Sequence, residues 1–171
     1  MKVLIISDSH GLTKELAAIK KRHEYEVAAM IHCGDSELPA DCAEMAGFYA
    51  VRGNCDYDSI YVNERIELIR DKTFYITHGH LHNVKMSLVN LHYKARETGA
   101  HIVCFGHSHE AGAEMIDGIL MINPGSILLP RMRKEKTYVI LSLENEDAEV
   151  TFYEVDGTKL EHMTARFRFS H

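Results

Sequence analysis

An α/β fold in which two packed sheets are flanked by helices is predicted by three features of the chain. Short apolar, strand-like runs alternate with one-sided helical segments up to His109. From there to the end the pattern is strands only. Several of the early runs stop at a Gly, Asp, Asn or His signature, the place where open α/β sheets gather ligand-binding loops.

The elements follow in order. Lys2-Val3-Leu4-Ile5-Ile6 opens a strand over 2–7, and Leu16, Ala17 and Ile19 beside charged Lys20-Lys21-Arg22 make 12–24 a one-sided helix. A strand over 28–32, a short helix near 38–46 and a strand over 48–52 come next. After an irregular stretch, strands are expected near 65–70 and 73–77. A helix is expected over 83–98, where Val84, Leu88, Leu91 and Ala95 share a face, and then a strand over 101–105. The tail reads as strands over 113–117, 119–122, 137–143 and 148–155. Asp117-Gly118 is a hairpin turn and Glu144-Asn145-Glu146-Asp147 a polar one.

Length and composition fit one domain over 1–171, with 46% hydrophobic residues and no composition shift or linker. No apolar run approaches the ~20 residues that span a bilayer, and Met1-Lys2-Val3 leads straight into a strand. A cytosolic protein with no membrane partner is therefore expected. Cys33, Cys42, Cys55 and Cys104 form no CxxC pair, which points to reduced thiols and no structural zinc. A net charge of −6 without a long basic block argues against nucleic acid as partner. Of two compact basic clusters, Lys20-Lys21-Arg22 reads as a solvated helix end. Arg131-Met132-Arg133-Lys134, which directly follows the Asn123-to-Pro130 segment, is the better candidate to touch substrate, with a surface role as the alternative.

Five signatures concentrate the chemistry: Ser7-Asp8-Ser9-His10, Gly34-Asp35, Gly53-Asn54-Cys55-Asp56, Thr77-His78-Gly79-His80 and Gly106-His107-Ser108-His109. If extended, Asp8 and His10 share a face, as do His107 and His109. Mixed imidazole and carboxylate donors suit Mn²⁺, Zn²⁺, Fe or Ni better than Ca²⁺ or Mg²⁺, and Mn²⁺ is the expected ion. Two divalent ions against Asp8 and Asp35 leave net positive charge, which favours a phosphate group. Taken singly, Gly34-Asp35 and Gly53-Asn54 are also ordinary turn sequences. His23, His82, His92, His101, His162 and His171 show no spacing logic and read as structural or surface groups. His32 is a candidate partner behind the ligands.

In order and spacing these motifs, with the later Asn123-Pro124-Gly125-Ser126 and Pro130-Arg131, resemble the calcineurin-like metallophosphoesterase superfamily. Within it they are most similar to the small single-domain bacterial and archaeal phosphodiesterase branch related to the retromer subunit Vps29. The resemblance covers nearly the whole chain. It implies a four-layer α/β/β/α sandwich with two packed mixed β-sheets. It further implies that Asp8, His10 and His109 hold one divalent ion, that Asn54, His78 and His107 hold a second, and that Asp35 bridges them.

The expected activity is hydrolysis of a small phosphate ester, a phosphodiester or a phosphomonoester, by a hydroxide bridging the two ions. Asp35, Asn54 and His80 would take part in the reaction, with Arg131 as a phosphate clamp. Many superfamily members carry His where this chain has Cys55. A thiol is a weaker acid catalyst than imidazole near neutral pH, so good leaving groups should react best. Alternatively, Cys55 is a small residue packed below the metals. Two other classes compete: a protein-interaction scaffold of the retromer-subunit kind, and a nuclease. A homo-oligomer through the β-rich tail is left open.

Overall fold

The computed structural model describes residues 1–169, and His171 lies outside them. Strand β1 (Lys2–Ile6), helix α1 (Lys14–His23), β2 (Ala29–His32) and β3 (Phe48–Ala50) form the first part of the chain. They are followed by β4 (Glu64–Ile69), β5 (Lys72–Thr77), a 3₁₀ turn at His80–His82, α2 (Val89–Glu97) and β6 (Ile102–Cys104). The remainder is β7 (Gly112–Ile116), β8 (Ile119–Asn123), β9 (Thr137–Glu144), β10 (Asp147–Glu154), a 3₁₀ turn at Glu161–Met163, and β11 (Ala165–Arg168).

The strands make a six-stranded sheet, β11-β10-β9-β1-β2-β3, and a five-stranded sheet, β4-β5-β6-β8-β7. Alternation along each strand explains how they stack. In β1, Val3 and Ile5 join Ile76, Ile102, Leu120 and Val150 in the layer between the sheets. Leu4 and Ile6 point the other way, onto Leu16 and Ile19 of α1. On the far side Tyr75, Val103 and Met121 pack against Leu91 and Ala95 of α2. The result is the expected four-layer α/β/β/α sandwich with two mixed sheets. Among the described residues no helix is long and apolar enough to cross a membrane.

The first sheet is parallel from β1 through β2 to β3. The second is parallel from β5 through β6 to β8. All five signatures lie just beyond carboxyl ends of these strands, and loops from both sheets meet there. Asp8 N–H donates to Gly34 O, and Gly106 N–H to His78 O, both at 3.0 Å.

Three expectations need correction. Residues 38–46 form successive turns rather than a helix, because side chains claim the backbone groups a helix would use. Lys20 Nζ donates to Ala43 O and Ala46 O, Tyr61 Oη to Leu38 O, and Ala40 N–H to Asp58. The basic end of α1 is solvent-facing as expected, with Lys21 and Arg22 exposed; from it Lys20 reaches these carbonyls and Arg22 reaches Tyr138 Oη and Val155 O. The second helix begins at Val89, not 83, since Asn83 takes φ 55° and breaks the helical run. Strand β11 was not anticipated. Its alternation, with Ala165 and Phe167 against Arg166 and Arg168, pairs it antiparallel to β10.

Candidate metal centre

The ligand loops are not extended, which corrects the face-sharing expected for Asp8 with His10 and for His107 with His109. All four residues take positive φ, at 54°, 42°, 68° and 60°, and so does Asp35, at 54°. Each loop coils back on itself. Asp and His tolerate this left-handed region better than most residues, and such backbone clusters at functional sites.

Two of the signature glycines are there for close approach. A Cβ on Gly53 would lie 2.0 Å from Asp35 Oδ1, and one on Gly106 would lie 2.0 Å from Ser7 Oγ and 2.5 Å from Asp8 Oδ2. These glycines let buried carboxylates sit directly against backbone, so the plain turn reading of Gly53-Asn54 does not hold.

Asp8 is fully buried. Its Oδ2 accepts from Ser7 Oγ (2.6 Å) and His107 N–H (3.1 Å), while Oδ1 has no hydrogen-bond partner. That second oxygen faces His109 Nε2 at 3.1 Å and His10 and His78 Nε2 at 3.9 Å. The far nitrogens of these rings are already engaged. His78 Nδ1 and His109 Nδ1 donate to the carbonyls of Cys33 and Leu129, both at 2.7 Å. His10 Nδ1 meets the Glu37 carboxylate at 2.6 Å. With Nδ1–H committed outward, each ring in its neutral form turns an Nε2 lone pair inward. Lone pairs of three imidazoles converging on a bare carboxylate oxygen suit a cation, so the donor set fits a metal ion.

Three groups of donors lie within 4.8 Å of one another: Asp8, His10 and His109; Asp8, Asp35 and His78; and His10, Asp35 and Cys55. Asp35 belongs to two of them, with Oδ2 3.2 Å from His78 Nε2 and Oδ1 accepting from Cys55 N–H at 2.8 Å. Asn54 Oδ1 is 3.2 Å from His78 Nε2. The His107 ring lies 5.0 Å from that of His78 and 6.0 Å from that of His80. Five of the seven expected ligands thus fall within these groups; Asn54 adjoins them through His78, and the His107 and His80 rings lie beside them. Arg131 is exposed and its N–H donates to His109 O.

Electrostatics sharpen the pattern. Burial works against the Asp8 and Asp35 carboxylates, but His109 and His78 hold Asp8, and His78 with Cys55 holds Asp35, below the usual range. Asp8 raises His109; at His78 burial is outweighed by Asp35 and Asp8, which raise it as well. Burial, with the neighbouring His78, pushes His107 down to about 4 and also lowers His80. Cys55 is pushed up to about 11 by burial and by Asp35, so its thiol stays protonated. It is half-buried beside His10 and Asp35, within the donor cluster and not below it.

Two supporting residues went unassigned in the sequence. Asp56 is buried, and its carboxylate accepts the N–H groups of Asp35 (2.8 Å), Gly53 (2.7 Å) and Glu37 (2.8 Å), lacing two ligand loops together. Its place in the Gly53-to-Asp56 signature was the available signal. Ser126 Oγ donates to Asp8 O at 2.7 Å from the loop after β8. His32 joins Ser9 Oγ at 2.9 Å and accepts from Gly34 N–H, so it stands behind the ligands. His82 bonds Tyr75 and His23 bonds Tyr138, in keeping with structural roles.

The chain matches the calcineurin-like phosphoesterase superfamily domain over residues 1–146. It is 51% identical over 166 residues to the probable metallophosphoesterase YsnB of Bacillus subtilis, a match spanning 97% of this chain and 98% of that protein. A predicted phosphoesterase from Streptococcus pneumoniae superposes with TM-score 0.94 at 30% identity, over 98% of this chain and 97% of that one. Vps29 from Entamoeba histolytica, solved with zinc, superposes with TM-score 0.77 over 99% of this chain and 100% of that one; its 18% identity shows a shared fold alone. From the match over residues 1–146 and the identity to the Bacillus protein, the chain belongs to the calcineurin-like phosphoesterase superfamily.

Proposed function

We propose that this protein hydrolyses small phosphodiesters, and phosphomonoesters of good leaving groups, with two divalent transition-metal ions, Mn²⁺ before Zn²⁺, Fe or Ni. The observation that carries the reading is the sharing of carboxylates. Asp8 and Asp35 each belong to more than one donor group, so a single cluster has enough donors for two ions. When bound, the ions would supply Lewis-acid neutralisation of the phosphate oxygens and a water nucleophile of lowered pKa.

The chain's own residues do the rest. Asp8, His10 and His109 would hold one ion, Asn54, His78 and His107 the other, and Asp35 both. Neutral Asn54 and His107 keep the centre's net charge positive toward an anionic ester. Asn54 is exposed at the rim, while Asp8 and His78 lie fully buried at the base. Arg131, fixed beside His109 through its own backbone, is the proposed phosphate clamp. His80 is held neutral, so it would relay a proton rather than arrive as an imidazolium. The protonated Cys55 thiol is a poor acid, which favours aryl over alkyl leaving groups. A complete ligand set supports catalysis over a purely scaffolding role.

The test compares a phosphodiester and a phosphomonoester of the same phenol. Chelation should abolish both hydrolyses, and Mn²⁺ should restore more rate than Mg²⁺ or Ca²⁺. Full activity after thorough chelation overturns the proposal.

A further inference from the structure

We infer that Glu37 is a positioning residue for His10, and that through it the Asp8-His10-His109 half of the centre becomes the tighter ion site. This rests on the metal-centre reading above. Among the ligand histidines with a placed Nδ1 contact, His78 and His109 lean on neutral carbonyls. His10 alone leans on a carboxylate, at 2.6 Å. A charged acceptor makes a stronger bond, fixes the ring with Nε2 inward, and pushes electron density toward the donor nitrogen.

The contact is built into the backbone. Glu37 takes φ 54°, a left-handed conformation that a side-chain-bearing residue adopts only at a cost. Its N–H is held there by Asp56 Oδ1 at 2.8 Å. Asp56 also binds the N–H groups of Asp35 and Gly53, so the carboxylate that reaches His10 is anchored to the loops carrying Asp35 and Asn54. The first half thereby gathers Asp8 directly and Glu37 through His10. Besides the shared Asp35, and Asp8 Oδ1 at 3.9 Å from His78 Nε2, the second half has only Asn54, His78 and His107, and among the described residues no carboxylate stands behind its rings. The Glu37 side chain is 36% exposed, so water screens part of the effect.

The experiment is calorimetric titration of Mn²⁺ into the chelator-treated full chain and into Glu37→Gln and Glu37→Ala. Wild type should take up two unequal equivalents. Glu37→Gln keeps an acceptor for Nδ1–H but loses the charge, and should weaken the tighter equivalent a few-fold. Glu37→Ala should weaken it ~10- to 100-fold, leaving the weaker equivalent unchanged. Nitrogen NMR of the His10 ring in the metal-free proteins is the second readout: wild type and Glu37→Gln should hold the Nδ1–H tautomer, and Glu37→Ala should lose that preference. Equal weakening of both equivalents, or no change in either, overturns the inference. A wild-type protein that binds fewer than two ions overturns the metal-centre reading instead. The His10 tautomer then still decides whether Glu37 orients the ring.

Discussion

At the carboxyl ends of the parallel strands, Asp8, His10, Asp35, His107 and His109 all hold left-handed backbone; in the β9–β10 hairpin, only the turn residue Asn145 does. The hairpin pairs in unbroken register from Thr137↔Glu154 to Glu144↔Asp147. It buries Val139, Leu141, Val150 and Phe152 between the sheets. The ligand end instead buries two carboxylates and a histidine, Asp8, Asp35 and His78, at 0–2% exposure. Stability lies mainly in the regular region, and strain and desolvation are concentrated where the chemistry is proposed.

Breaking each region separately should give opposite phenotypes. Asp35→Asn removes a charge and the shared donor, so activity should fall by several orders of magnitude while the fold persists. Phe152→Ala should cost ~3–5 kcal/mol in denaturant unfolding with turnover per folded molecule unchanged. His92→Ala, on α2 and away from the centre, should leave the rate within a few-fold. Steady-state rates and urea unfolding curves on the three variants check the pattern, and equal rate losses in Asp35→Asn and His92→Ala would refute the site.

Replacing Cys55 sharpens the comparison from inside the centre. Cys55→His should raise the rate on an alkyl ester more than on an aryl one, by up to ~10²-fold. The added ring must fit beside His10 and Asp35 without itself binding metal. Rate plotted against leaving-group pKa should fall steeply in wild type and less steeply in the variant. Identical slopes would place proton delivery elsewhere, with His80 the first residue to test.

The smallest expected effect is on pH. In metal-free protein, the raised His78 and His109 contribute fully below the ordinary histidine value of 6.5 and lose that contribution as pH rises through their raised values. The lowered Asp8 and Asp35 contribute above 3.8 and lose it as pH falls through their lowered values. Both statements describe the same ion pairs. Thermal unfolding of chelated protein should therefore be most resistant between those limits, and Asp35→Asn should flatten the profile. Metal binding requires neutral imidazoles, so Mn²⁺ affinity should rise over the pH range in which His78 and His109 lose their protons.

How much of this was legible differs between the same two regions. Two apolar runs on either side of a polar turn disclosed the hairpin, because Val139, Leu141, Val150 and Phe152 fill the layer between the sheets while Tyr138 and Ile140 pack on the opposite face with Leu16 and Ile19 of α1. The proposed ligand set was legible as motifs, but its backbone was not. Left-handed Asp8 and His10 depend on bonds to loops distant in sequence, His10 N–H to Asp35 O among them. Asp56 and Glu37 were hidden for a related reason. Glu37 meets His10 across 27 positions and Asp56 meets the Glu37 N–H across 19, so beyond Asp56's place in its signature no local spacing announces these roles. The segment 38–46 looked helical until Lys20 and Tyr61 took its carbonyls.

Metal content of the purified protein, determined alongside its turnover, tests the central claim most directly. Two transition-metal equivalents per chain, lost together with hydrolysis on chelation and regained together on adding Mn²⁺, is the predicted result. Full turnover from protein carrying one equivalent or none would contradict it.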